Sequence, residues 1–153
     1  MPKENSPGRY ERITVQLADL FTKTRDPLAR MSTTSAVLYH KLDHVFWCGF
    51  YRLVDEDLIV GPYQGPLACQ VLTRNKGVCW ASIREQKAMV VPDVEKFPGH
   101  IACDARSRSE IVIPVKDENN QIIAVLDIDS KELSNFSDED AFFLEKIVQL
   151  IYK

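Results

Sequence analysis

Apolar residues recur at helical spacing in the first forty residues of the chain. One such segment runs from about Tyr10 to Phe21, and a second runs from Pro27 to about Lys41. Asp26 stands immediately before the proline, and an acidic N-cap followed by proline at the first helical position is a typical helix start. The pattern therefore predicts two successive amphipathic helices.

The middle of the chain alternates between strand-like runs and turns. VFWCGFYRLV (45–54) is rich in aromatic and β-branched residues and predicts a strand, with DED (55–57) as a turn and 58–60 as the return strand. GPYQGP (61–66) predicts a loop, and LACQVL (67–72) predicts a third strand. A short helix is then expected from about Val78.

The second half of the chain predicts three more strands and a closing helix. KAMVV (87–91) is followed by an irregular loop over 93–107, and then by the strands EIVIPV and IIAVLDID around the turn DENN. Ser137 and Asp140 fit a capping box ahead of a terminal helix. Hairpin-linked strands between terminal helices indicate an α+β fold, with a central antiparallel sheet and helices packed mainly on one face.

Composition narrows the classes of function. The 153 residues have a net charge of −3, which argues against a nucleic-acid partner, and no apolar run approaches the roughly 20 residues of a membrane span. The polar N-terminus carries no apolar signal segment, so a cytoplasmic location is expected. No repeat or low-complexity linker divides residues 1–153, which predicts a single domain.

Three of the four cysteines lie in predicted regular structure. Cys48 is in an aromatic strand and Cys69 is in LACQVL, so burial is the default interpretation for both. Cys79 lies at a predicted helix start, where unpaired N–H groups favour a thiolate.

The fourth cysteine has a different setting. Cys103 lies in the loop within reach of His100, Arg106 and Arg108, cations that lower a thiol pKa, although Asp104 acts against them. On local context, Cys103 is the best candidate for a reactive thiol and Cys79 is the second.

Two other uses of these residues have weaker support. His100 and Cys103 are three positions apart, but no C-x-x-C pair exists, so the tight spacing of a structural zinc site is missing. A cysteine-protease pairing would need His100 or His44 as the base, and no local motif supports it. No metal site is predicted.

Acidic and aromatic side chains add a candidate pocket. Asp127 and Asp129 are two apart near the end of an apolar strand, so they share one face and disfavour joint ionisation, while Glu110 begins the preceding strand. A solvated strand end is the alternative interpretation.

The aromatic strand presents two candidate faces. Strand alternation places Trp47 and Tyr51 on one face, and Phe46 and Phe50 on the other. Periodicity alone does not decide which face is the core and which is a pocket wall.

Several motifs together resemble a known family. These are W-x-G-F-Y, G-P-Y-Q-G-x-x-A-C, G-V-C, V-x-D-V-x-x-F-P-G-H-I-A-C-D, S-R-S-E-I-V-I-P and V-L-D-I-D-S. From about Val45 to the terminal helix the chain is similar to the free methionine-(R)-sulfoxide reductases. The resemblance implies a single GAF-like catalytic domain over 1–153 that reduces the R epimer of free methionine sulfoxide.

The resemblance also implies a role for each site residue. Cys103 is the nucleophile, Cys69 the resolving cysteine and Cys79 a secondary redox group. The active-site acids and the aromatic substrate pocket correspond to Glu110, Asp127, Asp129, Trp47 and Tyr51.

The implied reaction repairs oxidised methionine without a bound cofactor. The thiolate attacks the sulfoxide sulfur, a protonated acid assists the departing oxygen, and the resulting sulfenic acid condenses to a disulfide. Thioredoxin then reduces the disulfide with electrons from NADPH through thioredoxin reductase, and a homodimer through the helices is a family-level expectation. A non-catalytic GAF module that senses a small molecule or thiol redox state is the alternative.

The chain departs from the family at one position. Trp80 follows Cys79 where the family usually has glycine. The bulky Trp80 side chain next to Cys79 is expected to cover the pocket rather than leave Cys79 open for a redox role.

Overall fold

The computed structural model describes residues 5–100 and 103–153. Residues 1–4 lie outside the described residues, and so do Ile101 and Ala102 of the H-I-A-C-D motif. The helices of the described part are α1 (Pro7–Leu20), α2 (Pro27–Lys41), α3 (Gly77–Glu85) and α4 (Asp138–Val148), and a short 3-10 helix spans Val94–Lys96. The strands are β1 (Trp47–Val54), β2 (Asp57–Gln64), β3 (Val71–Leu72), β4 (Met89–Val91), β5 (Ser109–Lys116) and β6 (Ile122–Ser130).

The predicted helix starts are confirmed by their caps. The Asp26 side chain accepts a hydrogen bond from the Leu28 backbone N–H at 2.9 Å, with Pro27 in the first turn. Ser137 and Asp140 form the reciprocal capping box at the start of α4. None of the helices in the described part is long and apolar enough to cross a lipid bilayer.

The strands of the described residues form one antiparallel sheet in the order β3-β2-β1-β6-β5-β4. The two hairpins, β1–β2 and β5–β6, are joined by pairing of β1 with β6 at the centre of the sheet. This pairing brings residues of the first half of the chain beside residues of the second half.

Each face of the sheet has its own apolar core. Helices α1, α2 and α4 pack on one face against residues such as Phe50, Ile113 and Leu126, all fully buried. The other face is covered by α3 and by loops, and its cluster includes Trp47, Tyr51 and residues of α3. The predicted α+β fold with helices mainly on one face is confirmed.

The β2–β3 region corrects two predictions. The first four residues of the predicted loop GPYQGP extend β2 to Gln64, because Gly61 and Pro62 lie at an irregularity of the β1–β2 register where a missing N–H is tolerated. Only two residues of LACQVL pair with β2 as a strand. The other four residues of LACQVL belong to a loop. This loop begins at Gly65, where a positive φ of 124° ends the regular strand backbone.

Candidate functional site

Three acidic side chains meet on the sheet face away from α1, α2 and α4. In the β5–β6 register Glu110 stands directly opposite Asp129, and Asp127 is two residues earlier on β6. Since side chains two residues apart share a face, and paired residues across strands also share one, the three carboxyl groups point to the same side. The predicted pairing of Asp127 with Asp129 on one face is confirmed, and the register adds Glu110.

Burial makes these acids resist ionisation. Glu110 and Asp127 are each only 6% exposed, while Asp129 is partly exposed. Desolvation raises the pKa of all three carboxyl groups, and the neighbouring acids raise the pKa of Glu110 and Asp129 further. The cluster therefore retains protons at pH values where exposed carboxyl groups are fully ionised. A solvated strand end, the alternative interpretation, does not describe it.

The aromatic wall of the site comes from β1 and β2. Trp47 lies opposite Asp129 in the β1–β6 register and stacks on Tyr51, at a centroid distance of 5.7 Å, and on Tyr63, at 5.2 Å. Gly49 makes this stack possible, because a Cβ there would approach the Trp47 ring edge and the Tyr63 Cα to 2.8 Å. The face carrying Trp47 and Tyr51 is thus the pocket side.

One aromatic residue lies on a different side from that predicted. Phe50 is buried in the helix-side core, but Phe46 lines the pocket beside Trp47. Strand alternation does not extend to Phe46 because it precedes the first residue of β1. Two cations lie over its ring, with the Arg106 guanidinium 4.8 Å and the Lys131 ammonium 5.0 Å from the ring centroid.

Cys69 and Cys103 form a disulfide, with their Cα atoms 5.5 Å apart. The prediction that Cys69 lies in a buried strand is wrong, because the residue is in the loop between β2 and β3 and is only partly buried. The Tyr51 hydroxyl donates a hydrogen bond to the Cys69 carbonyl oxygen at 3.3 Å. Cys103 is exposed at the start of the described segment that leads into β5.

Two of the residues predicted to lower the Cys103 pKa, Arg106 and His100, do not act as free cations beside it. The Arg106 guanidinium donates hydrogen bonds to both carboxylate oxygens of Asp104, at 3.0 and 2.7 Å. These bonds lower the pKa of Asp104 to about 2. His100 lines the same cleft, and desolvation lowers its pKa. Arg106 is therefore paired with a carboxylate, and His100 is biased towards its neutral form.

Cys79 differs from its predicted state. It does lie in the first turn of α3, but it is only 4% exposed and its sulfur lies near the carboxyl groups of Glu110 and Asp127. Desolvation, followed by the charges of the nearby acids, raises the thiol pKa well above its ordinary value. The expectation that the helix start favours a thiolate is wrong because burial outweighs it. Cys48 is fully buried in the helix-side core, as predicted.

These residues surround a cleft of about 600 Å³, including its open mouth. Apart from Cys69, which is linked to the lining residue Cys103, every site residue predicted from the sequence lines it: Trp47, Tyr51, Cys79, Cys103, Glu110, Asp127 and Asp129. Trp80 does not line the cleft; it is buried in the core on this side of the sheet. The suggestion that Trp80 covers the pocket is wrong, because its neighbour Cys79 occupies the side of α3 that faces the acids.

Sequence reasoning missed several contributors to the site, among them Tyr63, Ser107 and Leu67. Tyr63 stacks on Trp47, Ser107 lines the cleft, and Leu67 lines its mouth with 86% of its surface exposed. The strand extension to Gln64 would have been the signal for Tyr63, since residue 63 pairs with Gly49. Nothing local marks the other two.

Comparison with known proteins identifies close relatives. The family model for the GAF domain matches residues 32–151. The chain is 45% identical over 126 residues to the free methionine-R-sulfoxide reductase of Escherichia coli, covering 82% of this chain and 76% of that protein. It is 40% identical over 150 residues to GAF domain-containing protein A of Dictyostelium discoideum, covering 97% and 94%.

A solved structure agrees in fold and carries a ligand. The free methionine-R-sulfoxide reductase from Neisseria meningitidis, determined in complex with its substrate, superposes with a TM-score of 0.89 at 34% identity. The alignment covers 99% of this chain and 92% of that one.

Proposed function

This chain belongs to the GAF-domain family of free methionine-R-sulfoxide reductases, and from that membership we propose that it reduces free L-methionine-R-sulfoxide to methionine. One observation carries the proposal. A disulfide between Cys69 and Cys103 lies at a cleft that also contains three acids of raised pKa. A thiol pair and a proton donor are the two things that reduction of a sulfoxide requires.

The reaction begins from the reduced dithiol. The Cys103 sulfur attacks the sulfoxide sulfur and takes its oxygen. The substrate sulfur is thereby reduced by two electrons and leaves as methionine, and the Cys103 sulfur is oxidised by two electrons to a sulfenic acid. The cleft supplies the proton that the oxygen needs during transfer. Glu110 and Asp129 are suited to this task, because burial and neighbouring charge keep their carboxyl groups protonated at higher pH.

Cys69 resolves the intermediate. Its thiolate attacks the sulfenic sulfur of Cys103, the sulfenic hydroxyl takes up a proton and leaves as water, and the disulfide of the present structure forms. An external dithiol then restores both thiols, for which we propose thioredoxin supplied by NADPH and thioredoxin reductase. The exposure of Cys103 supports access by such a partner. Cys79 acts as a slower, secondary thiol because its pKa is raised.

The rest of the cleft explains a preference for the free amino acid. The substrate ammonium group would be held by the buried carboxyl groups on the sheet face, whose oxygens accept its hydrogen bonds and whose ionised form its charge favours. The methyl group next to the sulfoxide would lie against Trp47 and Tyr51, whose stacked rings form an apolar wall. A methionine residue within a peptide has no ammonium group to offer.

The test follows NADPH oxidation with thioredoxin, thioredoxin reductase and each epimer of free methionine sulfoxide. Wild type should turn over the R epimer and should be inactive on the S epimer and on a peptide-bound sulfoxide. Cys103→Ser should be inactive. Cys69→Ser should lose most of its steady-state turnover with thioredoxin, since only the slower Cys79 remains, but should still form about one methionine per chain in a single turnover.

Cys48→Ser is the matched control, because that cysteine is buried in the opposite core. Turnover by Cys103→Ser at the wild-type rate would contradict the mechanism. Tight binding of the sulfoxide without any turnover would instead favour the sensor function. Equal activity on peptide-bound sulfoxide would contradict only the substrate assignment.

A further inference from the structure

A sulfur atom and two carboxyl groups converge inside the cleft. Cys79 comes from the first turn of α3, Glu110 from β5 and Asp127 from β6. One ligand atom from each lies within 4.8 Å of the others, and all three residues are at least 94% buried. The three residues are far apart along the chain, so no motif with metal-ligand spacing reveals them.

One polar atom of this cluster lacks a hydrogen-bond partner. The Oδ1 atom of Asp127 is buried and has no hydrogen-bond partner. In the part of the chain that the structure describes, no lysine or arginine forms an ion pair with Glu110, Asp127 or Asp129. A buried carboxyl oxygen without a hydrogen-bond partner is costly, and a bound cation removes that cost.

We propose that Cys79, Glu110 and Asp127 bind a thiophilic divalent cation of the Zn²⁺ type. A thiolate with two carboxylates is a donor set that suits zinc, whereas Mg²⁺ and Ca²⁺ prefer oxygen ligands alone. Zinc lies about 2.3 Å from sulfur and about 2.0–2.2 Å from carboxylate oxygen, so its ligand atoms are within about 4 Å of one another. The ligand atoms now lie within 4.8 Å of one another, so the side chains need to close by no more than about 1 Å.

Binding at this site is an acid–base event without electron transfer. Coordination displaces the proton of the Cys79 thiol, and any proton on the two carboxyl groups, to solvent. Three protein ligands leave the fourth tetrahedral position for water. The opening of the cleft gives the ion a route to the site.

The consequence for activity rests on the proposed function. The cation would occupy the carboxyl groups that we assign to the substrate ammonium, so zinc and substrate would compete. The disulfide state leaves the site intact, because Cys79 is not part of the Cys69–Cys103 bond. Zinc would then act as an inhibitor of this pocket and not as a cofactor.

The experiment uses tag-free full-length protein in its disulfide form, with Co²⁺ as a spectroscopic probe for zinc. Oxidation removes Cys69 and Cys103 as ligands, which leaves Cys48 and Cys79 as the free thiols of the described residues. Wild type should develop a sulfur-to-cobalt charge-transfer band with one ion per chain. Zn²⁺ should abolish the band, and Mg²⁺ should not.

The variants identify the ligands. Cys79→Ser should remove the band, and Asp127→Asn should weaken Co²⁺ binding by about 100-fold or more, because loss of a residue that only orients a ligand already costs about 10- to 100-fold. Cys48→Ser should behave as wild type. Circular dichroism verifies that each variant is folded. If either the Asp127 or the Cys79 variant fails to fold, the other still tests the site.

Two outcomes would overturn the site: absence of the band in wild type, or its persistence in folded Cys79→Ser. Titration of the Co²⁺ form with free methionine then tests the shared pocket, and loss of the band is expected. A band that methionine does not disturb would contradict competition and the assigned ammonium site, while the metal site would stand. None of these measurements requires turnover, so they are independent of the activity assay.

Discussion

The Tyr51 hydroxyl donates a hydrogen bond to the carbonyl oxygen of Cys69 at 3.3 Å. Tyr51 is on a central strand and Cys69 is in a loop, so this bond links the sheet to the disulfide partner of Cys103. The ring of Tyr51 also stacks on Trp47. The same side chain therefore forms the pocket wall and positions the resolving cysteine.

Replacing Tyr51 by Phe should slow disulfide formation while retaining the aromatic wall. A neutral hydrogen bond contributes about 0.5–1.5 kcal/mol, which corresponds to a rate about 2- to 12-fold lower if the bond orders the loop for attack. The measurement is alkylation of thiols and mass spectrometry after a pulse of hydrogen peroxide on the reduced protein. Tyr63→Phe, which leaves Tyr51 in place, is the matched control. Equal rates in Tyr51→Phe and wild type would show that the bond does not position Cys69.

Gly49→Ala should destabilise the protein and should also weaken substrate binding. Its Cβ would come within 2.8 Å of the Trp47 ring and of the Tyr63 backbone, neither of which can move freely within the sheet. Overpacking of this kind costs about 1–3 kcal/mol, measurable as a lower urea midpoint. An increased KM for the sulfoxide should accompany it, because the displaced Trp47 lines the cleft.

Gly8→Ala is the control for Gly49→Ala. Gly8 is in the first turns of α1, and the nearest obstacle to a Cβ there is the flexible end of Arg12 at 3.3 Å. We expect no loss of stability at this position. A Gly49→Ala protein as stable as Gly8→Ala would contradict the tight packing of the aromatic stack.

Glu110→Gln should become more stabilising, relative to wild type, as the pH rises. The folded state holds the Glu110 pKa well above the value of about 4.3 expected in the unfolded chain. Between those two values the folded protein binds a proton that the unfolded chain has lost, so the wild-type unfolding free energy falls with increasing pH. One such group changes it by about 1.4 kcal/mol per pH unit in that window.

Urea unfolding at several values from about pH 4.5 to about pH 8 measures this difference. Glu145→Gln, at an exposed position on α4, is the control substitution. A difference between Glu110→Gln and wild type that stays constant with pH would contradict the raised pKa.

Arg30→Met should destabilise the protein without changing the site. The Arg30 guanidinium is buried and donates hydrogen bonds to backbone carbonyl oxygens of Phe21, at 2.8 Å, and of Lys153, at 2.7 Å, among others. Loss of the donors leaves buried carbonyls unpaired, which should cost about 2–4 kcal/mol of unfolding free energy. Arg25→Met, at an exposed position, should cost little. A changed KM in Arg30→Met would contradict its separation from the cleft.

Much of the fold was predictable because it depends on local patterns. The helix starts at Asp26 and Ser137 follow from side chains that cap nearby backbone groups. Asp127 and Asp129 share a face because alternate residues of any strand do. The aromatic and acidic residues of the cleft were also recognisable from motifs, and the predicted ones all line it.

The tertiary structure decided what these residues meet. Glu110 faces Asp129 only because of the β5–β6 register, and the position of Cys79 beside Glu110 and Asp127 depends on how α3 packs over the sheet. That packing reverses the local expectation for the Cys79 thiol, since desolvation and neighbouring carboxylates outweigh a helix start. Periodicity along one strand carries no information about its partner's register or about burial by a distant helix. By itself, therefore, the sequence determined the elements, their faces and the candidate chemical groups. Strand pairing and helix packing decided which of these groups lie in contact, how deeply they are buried and how they shift one another's pKa.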